Sequence, residues 1–434
     1  MFQKTRPEKA ARRTPSIMHR TFATILSAAF LAVTLTCTTI AAPAADQATP
    51  DDTARFLAGL QPSANSPLAA LANGPEWQQH ARRFDQMFAE EEKFSLAKIR
   101  AFSKDHLPDK HRSMLYMFSG PDALYAVTFF PTATTYVLVG LEPTGGVPPL
   151  TSLPRGTLDA SLRSLETSLG TVMTYSFFIT KNMKTQLRAG PVFGTLPIIY
   201  VFLARTGKTI HEASFVNLDR DGNVVGADDK SRNSAAQGVK IVFSDGNGPN
   251  QTLYYFSTNL ADDGVKTSGL LPFLDKLGPA DSFVKSASYL MHTGSFVTIR
   301  NFLLARSATI VQDDSGIPLA FFDPKKWRLE PYGRYLGPIG EFPSHYQPAM
   351  EDLYRKEAPT PIDFGLGYRW RKNESNLLVA RKNGPVSDES VVNTALTMKS
   401  EMFGPPDVSR GGPPPSQRPA QEPFWGYRLY GPRW

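Results

Sequence analysis

Two short phrases, Ser119-Gly120-Pro121-Asp122 and His292-Thr293-Gly294-Ser295, stand where an apolar β-type run gives way to a helical pattern. A helix that begins beyond the carboxyl end of a parallel strand presents unsatisfied N–H groups and a positive dipole end, which suits an anion. Ser119, Gly120 and Asp122, with Thr293 and Ser295, are therefore the candidate binding residues. Ser-x-x-Asp also reads as a helix cap with proline in the first turn, which needs no ligand. His292 is the candidate acid or base because imidazole titrates near neutral pH; a packed, hydrogen-bonded histidine is the plainer reading. Glu142 and the pair Asp313 and Asp314 follow the next β run after each phrase. Carboxylates at such strand ends suit acid–base work or a metal, and adjacent aspartates before Ser-Gly also suit an ordinary turn. The candidate catalytic set is His292, Asp313 and Glu142, with no metal site and no cofactor assigned.

Other motifs carry less. Asp219-x-Asp221-Gly222-Asn223 has the opening of a calcium loop but lacks the later acidic ligands, so it reads as a hairpin turn. Gly367-Tyr368-Arg369-Trp370-Arg371 mixes rings and cations in a way that suits a glycan or an anionic polymer; a solvated strand anchored by Trp370 is the alternative. No Gly-x-Ser-x-Gly, His-Glu-x-x-His, P-loop or strand-borne Gly-x-Gly-x-x-Gly is present, which lowers the standing of the familiar hydrolase and nucleotide classes.

The elements that must position these residues follow from periodicity. Trp77, Ala81, Phe84 and Phe88 repeat at helical spacing, and a second helix is expected around Ser95 to Ser103. Met114 to Phe118 reads as a buried strand, Asp122 to Phe130 as a short helix stopped by Pro131, and Thr135 to Leu141 as a second strand. That order is a β-α-β unit, hence a parallel pair. Leu158, Leu162, Leu165 and Leu169 stripe a helix ending before Gly170; Thr174 to Thr180 is strand-like and Ala189 to Ala204 a core helix. Hairpins are expected across Asp219 to Gly222 and across Gly246 to Asn250. In the second half, Ala287 to Met291 reads as a strand, Phe296 to Arg306 as a helix and Thr309 to Gln312 as a strand. The layout repeats that of Tyr116 to Pro143, which suits either a distant internal duplication or two unrelated β-α-β units.

The chain ends bound the setting. His19 and Arg20, the apolar run Phe22 to Ile40 and the exit Ala42-Pro43-Ala44 form a Sec-type signal peptide with cleavage near Ala44/Ala45, and Met18 is an alternative start. The expected location is the periplasm or the medium. Residues 1–44 hold six bases and one acid, so 41 bases and 39 acids remain beyond them, a net charge of +2 against +7 for the whole. No concentrated basic face survives for nucleic acid. The single cysteine, Cys37, lies in the signal, so the mature chain has no thiol chemistry. The expected organisation is a signal at 1–44, a flexible lead-in at 45–75, α/β halves at 76–235 and 236–403, and a disordered Pro/Gly-rich tail at 404–434. The fold class is α/β: mixed sheet with two β-α-β halves flanked by helices.

Tyr116-Met-Phe-Ser-Gly-Pro-Asp-Ala-Leu-Tyr-Ala126, Phe129-Phe-Pro131 and Tyr136-Val-Leu-Val-Gly-Leu-Glu-Pro143 resemble segments of an uncharacterised family of exported bacterial proteins. Lys285-Ser-Ala-Ser-Tyr-Leu-Met-His292, Gln312-Asp-Asp-Ser-Gly-Ile-Pro318 and Phe322-Asp-Pro-Lys-Lys-Trp327 are similar to it too. The resemblance spans roughly Trp77 to Ala380 and implies one architectural unit in the envelope; it transfers no activity. Two functions stay open: a ligand-binding or envelope-maintenance protein, whose partner is a small molecule or envelope polymer, and a hydrolase of envelope material working through carboxylates and His292.

Overall fold

The structure is a computed structural model that describes residues 47–107, 113–175, 190–228 and 236–397. The expected signal peptide at 1–44 and the expected tail at 404–434 lie outside the described residues. Among those described, no helix is long and apolar enough to cross a membrane.

Part of the segment expected to be a flexible lead-in is helical. Helix α1 (Pro50–Leu57) has Pro at its start, is capped by the Thr49 hydroxyl accepting from the Asp52 N–H at 3.0 Å, and buries Phe56 and Leu57. Helix α2 (Pro75–Glu91) turns Trp77, Ala81, Phe84 and Phe88 inward, and the Trp77 indole N–H donates to the Phe56 carbonyl at 2.9 Å. A π-turn at Glu92–Leu96 carries the chain into α3 (Ala97–His106).

Strands β1 (Ser113–Tyr116) and β2 (Thr135–Gly140) are parallel and joined by α4 (Ala123–Phe129), as the sequence indicates. Both are buried along almost their whole length, which is why they read as unbroken apolar runs rather than alternating ones. The leucine stripe lies on α5 (Arg155–Tyr175), which runs through Gly170 and includes Thr174 and Tyr175, so those two are helical and not strand; 176–180 lie outside the described residues. Helix α6 (Leu196–Arg205) is the expected core helix, shorter at its start. Both hairpins form: β3 (Lys208–Leu218) with β4 (Val224–Gly226), and β5 (Ala236–Asp245) with β6 (Gln251–Ser257).

The second β-α-β unit is displaced from its expected start. After the short helices α7 (Asp262–Val265) and α8 (Leu270–Lys276) comes β7 (Ala280–Val284), followed by α9 (Val297–Arg306) and β8 (Ser307–Gln312). Ala287 to Met291 is a turn and not a strand, because Ser286, Ser288 and Tyr289 all have φ near +50°, which extended backbone excludes. The chain closes with β9 (Trp327–Gly333), α10 (Pro348–Glu357), β10 (Asn376–Lys382) and α11 (Val392–Thr397).

The ten strands of the described residues form one mixed sheet in the order β4-β3-β5-β6-β2-β1-β7-β8-β10-β9. The central five, β6 to β8, are parallel; β5, β3 and β4 extend one side and β10 and β9 the other, all antiparallel. Strands β5 and β6 pair on the side of the first unit, so the sheet is continuous across position 235. Tyr116, Tyr136 and Leu138 face a core shared with α1, α2, α4, α5 and α6. Leu115, Val137 and Val139 face a second core shared with α8, α9 and α11.

Candidate functional site

Strands β1 and β7 are adjacent and parallel, with Met114 to Tyr116 in register with Asp281 to Phe283. From β1 the chain crosses to β2 on one side; from β7 it crosses to β8 on the other. The crossover helices α4 and α9 pack on opposite faces, each in a different core. Successive connections that leave in opposite directions open a crevice at the carboxyl ends of the strands, the usual ligand position in open α/β sheets. A pocket of about 400 Å³ lies there. Its walls come from the residues just after β1 (Phe118 to Gly120, Asp122), β2 (Leu141, Glu142), β6 (Thr258 to Leu260) and β7 (Lys285 to Ser288), with Phe342 and Tyr368 from later in the chain.

At the floor is a buried polar knot. Lys285 Nζ pairs with Asp122 Oδ2 at 2.7 Å, and both side chains are almost wholly enclosed. The Tyr116 hydroxyl donates to the same oxygen at 2.8 Å, and Asp122 Oδ1 caps α4 by accepting the Tyr125 N–H at 3.2 Å. The ammonium also lies 3.6 Å from the centre of the Tyr125 ring, whose hydroxyl donates to Glu91 at 3.1 Å. Burial pushes Lys285 below its ordinary range, against the pull of Asp122, and pushes Tyr116 well above its own. Burial likewise raises Glu91.

Above this knot, Glu142 folds back across two glycines. A Cβ on Gly140 would lie 2.4 Å from Glu142 Oε2 and 2.8 Å from Gly120 Cα, so no side chain fits there without a shift. The Tyr255 hydroxyl donates to the Glu142 carbonyl at 2.7 Å. Glu142 is only 3% exposed, yet Oε2 is buried without a hydrogen bond. Across the crevice, Ser286 Oγ is also buried and without a partner. Ser286 sits at φ 53°, with its N–H donating to Asp313 Oδ2 at 2.9 Å and its carbonyl accepting from the Tyr368 hydroxyl at 3.0 Å. Gly367 permits that approach, since a Cβ there would meet Asp313 Oδ2 at 2.1 Å. Phe118, at φ 63°, is the matching left-handed residue after β1. Left-handed backbone at non-glycine residues costs of order 1–3 kcal/mol each and collects at functional loops.

The structure thus brings Ser119, Gly120, Asp122 and Glu142 to one pocket. Ser119 Oγ accepts from the Val139 N–H at 3.1 Å, which ties the first loop to β2. Asp313 stands behind the lining; burial first, and the charge of Asp314 second, push it up to about 7. Asp314 accepts from Tyr289 at 2.6 Å and from Asn376 at 3.0 Å. His292, Thr293 and Ser295 do not line the pocket. His292 packs its ring 5.2 Å from those of Tyr289 and His345, and burial, reinforced by His345, lowers it to about 3. Thr293 Oγ1 donates to the Leu290 carbonyl at 2.8 Å, and Ser295 is exposed at the surface. The position that answers Ser119 to Asp122 is Lys285 to Ser288, directly after β7.

Each of the two helix starts carries a carboxylate cap, which weighs against an anion there. The N-terminus of α4 is taken by Asp122, and that of α9 by Asp262 Oδ1, which accepts the Thr298 N–H at 2.8 Å. Asp219 is likewise consumed locally, accepting from the Asn223 N–H at 2.8 Å and its side-chain amide at 2.9 Å, as a hairpin turn requires. Gly367 to Arg371 is loop rather than strand. Among the described residues, no group of three or more His, Cys, Asp or Glu side chains could hold a metal ion.

Lys285 and Ser286 were not among the sequence candidates, and Tyr368 stood only in the Gly367 to Arg371 motif read for a glycan or anionic polymer. The local signal at Lys285 and Ser286 was Lys-Ser-x-Ser directly after an apolar-ended run. Compared with known proteins, the chain matches no family model, no curated protein and no solved structure.

Proposed function

We propose that this is an exported envelope protein that binds a small molecule in the crevice between β1 and β7. The observation that carries the reading is the pocket at the carboxyl ends of the parallel strands, lined by Glu142 and Ser286, each of which keeps a buried polar atom, Oε2 and Oγ, without a hydrogen-bond partner. A buried acceptor left unmade costs about 1–3 kcal/mol, which a ligand donor would return. An apolar cleft with a few convergent polar groups is the usual form of a small-molecule site. The export half of the proposal is supported by the signal-like residues before Ala45. The hydrolase alternative gains little support: His292 is outside the pocket lining and is held neutral.

Saturation-transfer NMR with phenethyl alcohol, a neutral probe matched to an apolar cleft, tests the binding reading. Wild type should transfer saturation to the probe, and Leu290→Trp, which fills the cleft from its wall, should not. Equal transfer in both, or none in wild type, would remove the pocket as the ligand site.

A further inference from the structure

The charges and rings around the crevice narrow its ligand, on the premise that the crevice is the binding site. The lining carries three carboxyl groups, Asp122, Glu142 and Glu341, against one ammonium, Lys285. Lys285 and Asp122 are matched to each other at 2.7 Å. Beyond that pair the lining keeps the Glu142 carboxylate, whose Oε2 has no hydrogen-bond partner. The lone pairs of Glu142 Oε2 accept only, so this atom asks for a donor and rejects an anion. Five aromatic side chains, Tyr116, Phe118, Phe296, Phe342 and Tyr368, also line the space. Ring faces attract cations, most strongly where water is excluded, and a carboxylate set among rings is the arrangement that selects an organic cation over a neutral isostere. The helix ends that would have favoured an anion are already capped by Asp122 and Asp262.

We infer that the ligand is an organic ammonium with an apolar body, its N–H groups received by Glu142 Oε2 and its cation held among the aromatic walls. Ser286 Oγ, which both donates and accepts, meets a hydroxyl or carbonyl near the ammonium. Glu142 is enclosed at 3% exposure while its neighbour Leu141 is 55% exposed, so the ammonium enters first and the apolar portion follows toward the mouth. Such an ammonium occurs in free amines and in ethanolamine-type lipid headgroups, and the chemistry at Glu142 is the same for both.

Calorimetric titration of the full chain with phenethylamine, phenethyl alcohol and hydrocinnamate, three probes of similar size, decides the charge. The amine should bind about tenfold or more tighter than the alcohol, the scale of a charge-assisted hydrogen bond, and hydrocinnamate should bind weakest. Glu142→Gln should abolish the preference for the amine over the alcohol. If hydrocinnamate binds best, or Glu142→Gln keeps the amine preference, the ammonium inference is overturned although the crevice still binds ligands. If none of the three binds, the binding reading itself fails, and this inference with it. Co-sedimentation with phosphatidylethanolamine vesicles, lost in Glu142→Gln, would assign the ammonium to a headgroup. Amine binding without co-sedimentation would assign it to a free amine.

Discussion

At the scale of single residues, the largest energetic consequence belongs to Asp122. As a helix cap alone its removal would cost about 1 kcal/mol. It also holds the Lys285 ammonium at 2.7 Å and the Tyr116 hydroxyl at 2.8 Å in an enclosed space. Breaking one side of a buried ion pair leaves an uncompensated charge, so Asp122→Asn should cost roughly 3–5 kcal/mol in urea unfolding. Adding Lys285→Met should restore much of that loss; an equal or larger loss in the double variant would mean that packing, not the buried charge, sets the cost. His292 and Asp313 give opposite pH dependences. The His292 ring is lowered from 6.5 to about 3, so the unfolded chain takes up a proton before the folded one does as pH falls. Its contribution to stability is complete above 6.5 and lost as pH falls toward 3. Asp313 is raised from 3.8 to about 7, so the folded chain keeps a proton that the unfolded one releases. Its contribution is complete below 3.8 and lost as pH rises through about 7. Urea midpoints of wild type, His292→Gln and Asp313→Asn across this range should separate the two slopes. A His292→Gln curve parallel to wild type would show that the imidazole titrates normally.

At the scale of elements, the loops after β1, β2 and β7 are built by glycines and left-handed residues rather than by helix dipoles. Gly140 is a tight point, because a Cβ there would meet both Glu142 Oε2 and Gly120 Cα. Gly140→Ala should therefore expel the Glu142 carboxylate, remove phenethylamine binding and cost about 1–3 kcal/mol by overpacking. An unchanged melting temperature with full amine binding would show that β1 and β2 part easily. The same loops explain what the sequence made legible. Strands β1 and β2 are apolar throughout, and their α-helical link ends at a proline, so that unit is readable residue by residue. Strand β7 is hidden because it buries Asp281 and Ser282, the latter satisfied by Ser307 at 2.7 Å. The neighbouring Ala287 to Met291 looked more strand-like by composition, yet its left-handed residues prevent extension. That displacement moved attention from Lys285 to His292. The sequence offered Tyr368 only within the motif Gly367 to Arg371; its place beside Ser286 is set by the strand order of the sheet and not by that local pattern.

At the scale of the whole molecule, one ten-stranded sheet divides two apolar cores, and the crevice opens where the direction of winding reverses. The two β-α-β units share this arrangement but not their details: three residues of one loop after β7 are left-handed non-glycines, against one after β1. The pairing of β1 with β7 also fixes an order of events during synthesis. When Gly226 has emerged, β1 has β2 beside it, but its other edge is bare, and its partner lies more than one hundred and fifty positions further on. Strand β2 in turn waits for β6. An incomplete chain therefore carries buried-type strands with open edges, the feature that invites misassembly and chaperone attention. The last wall to arrive, Tyr368, comes after every strand but β10. A chain stopped before Tyr368 therefore leaves strand edges open and lacks one wall of the crevice.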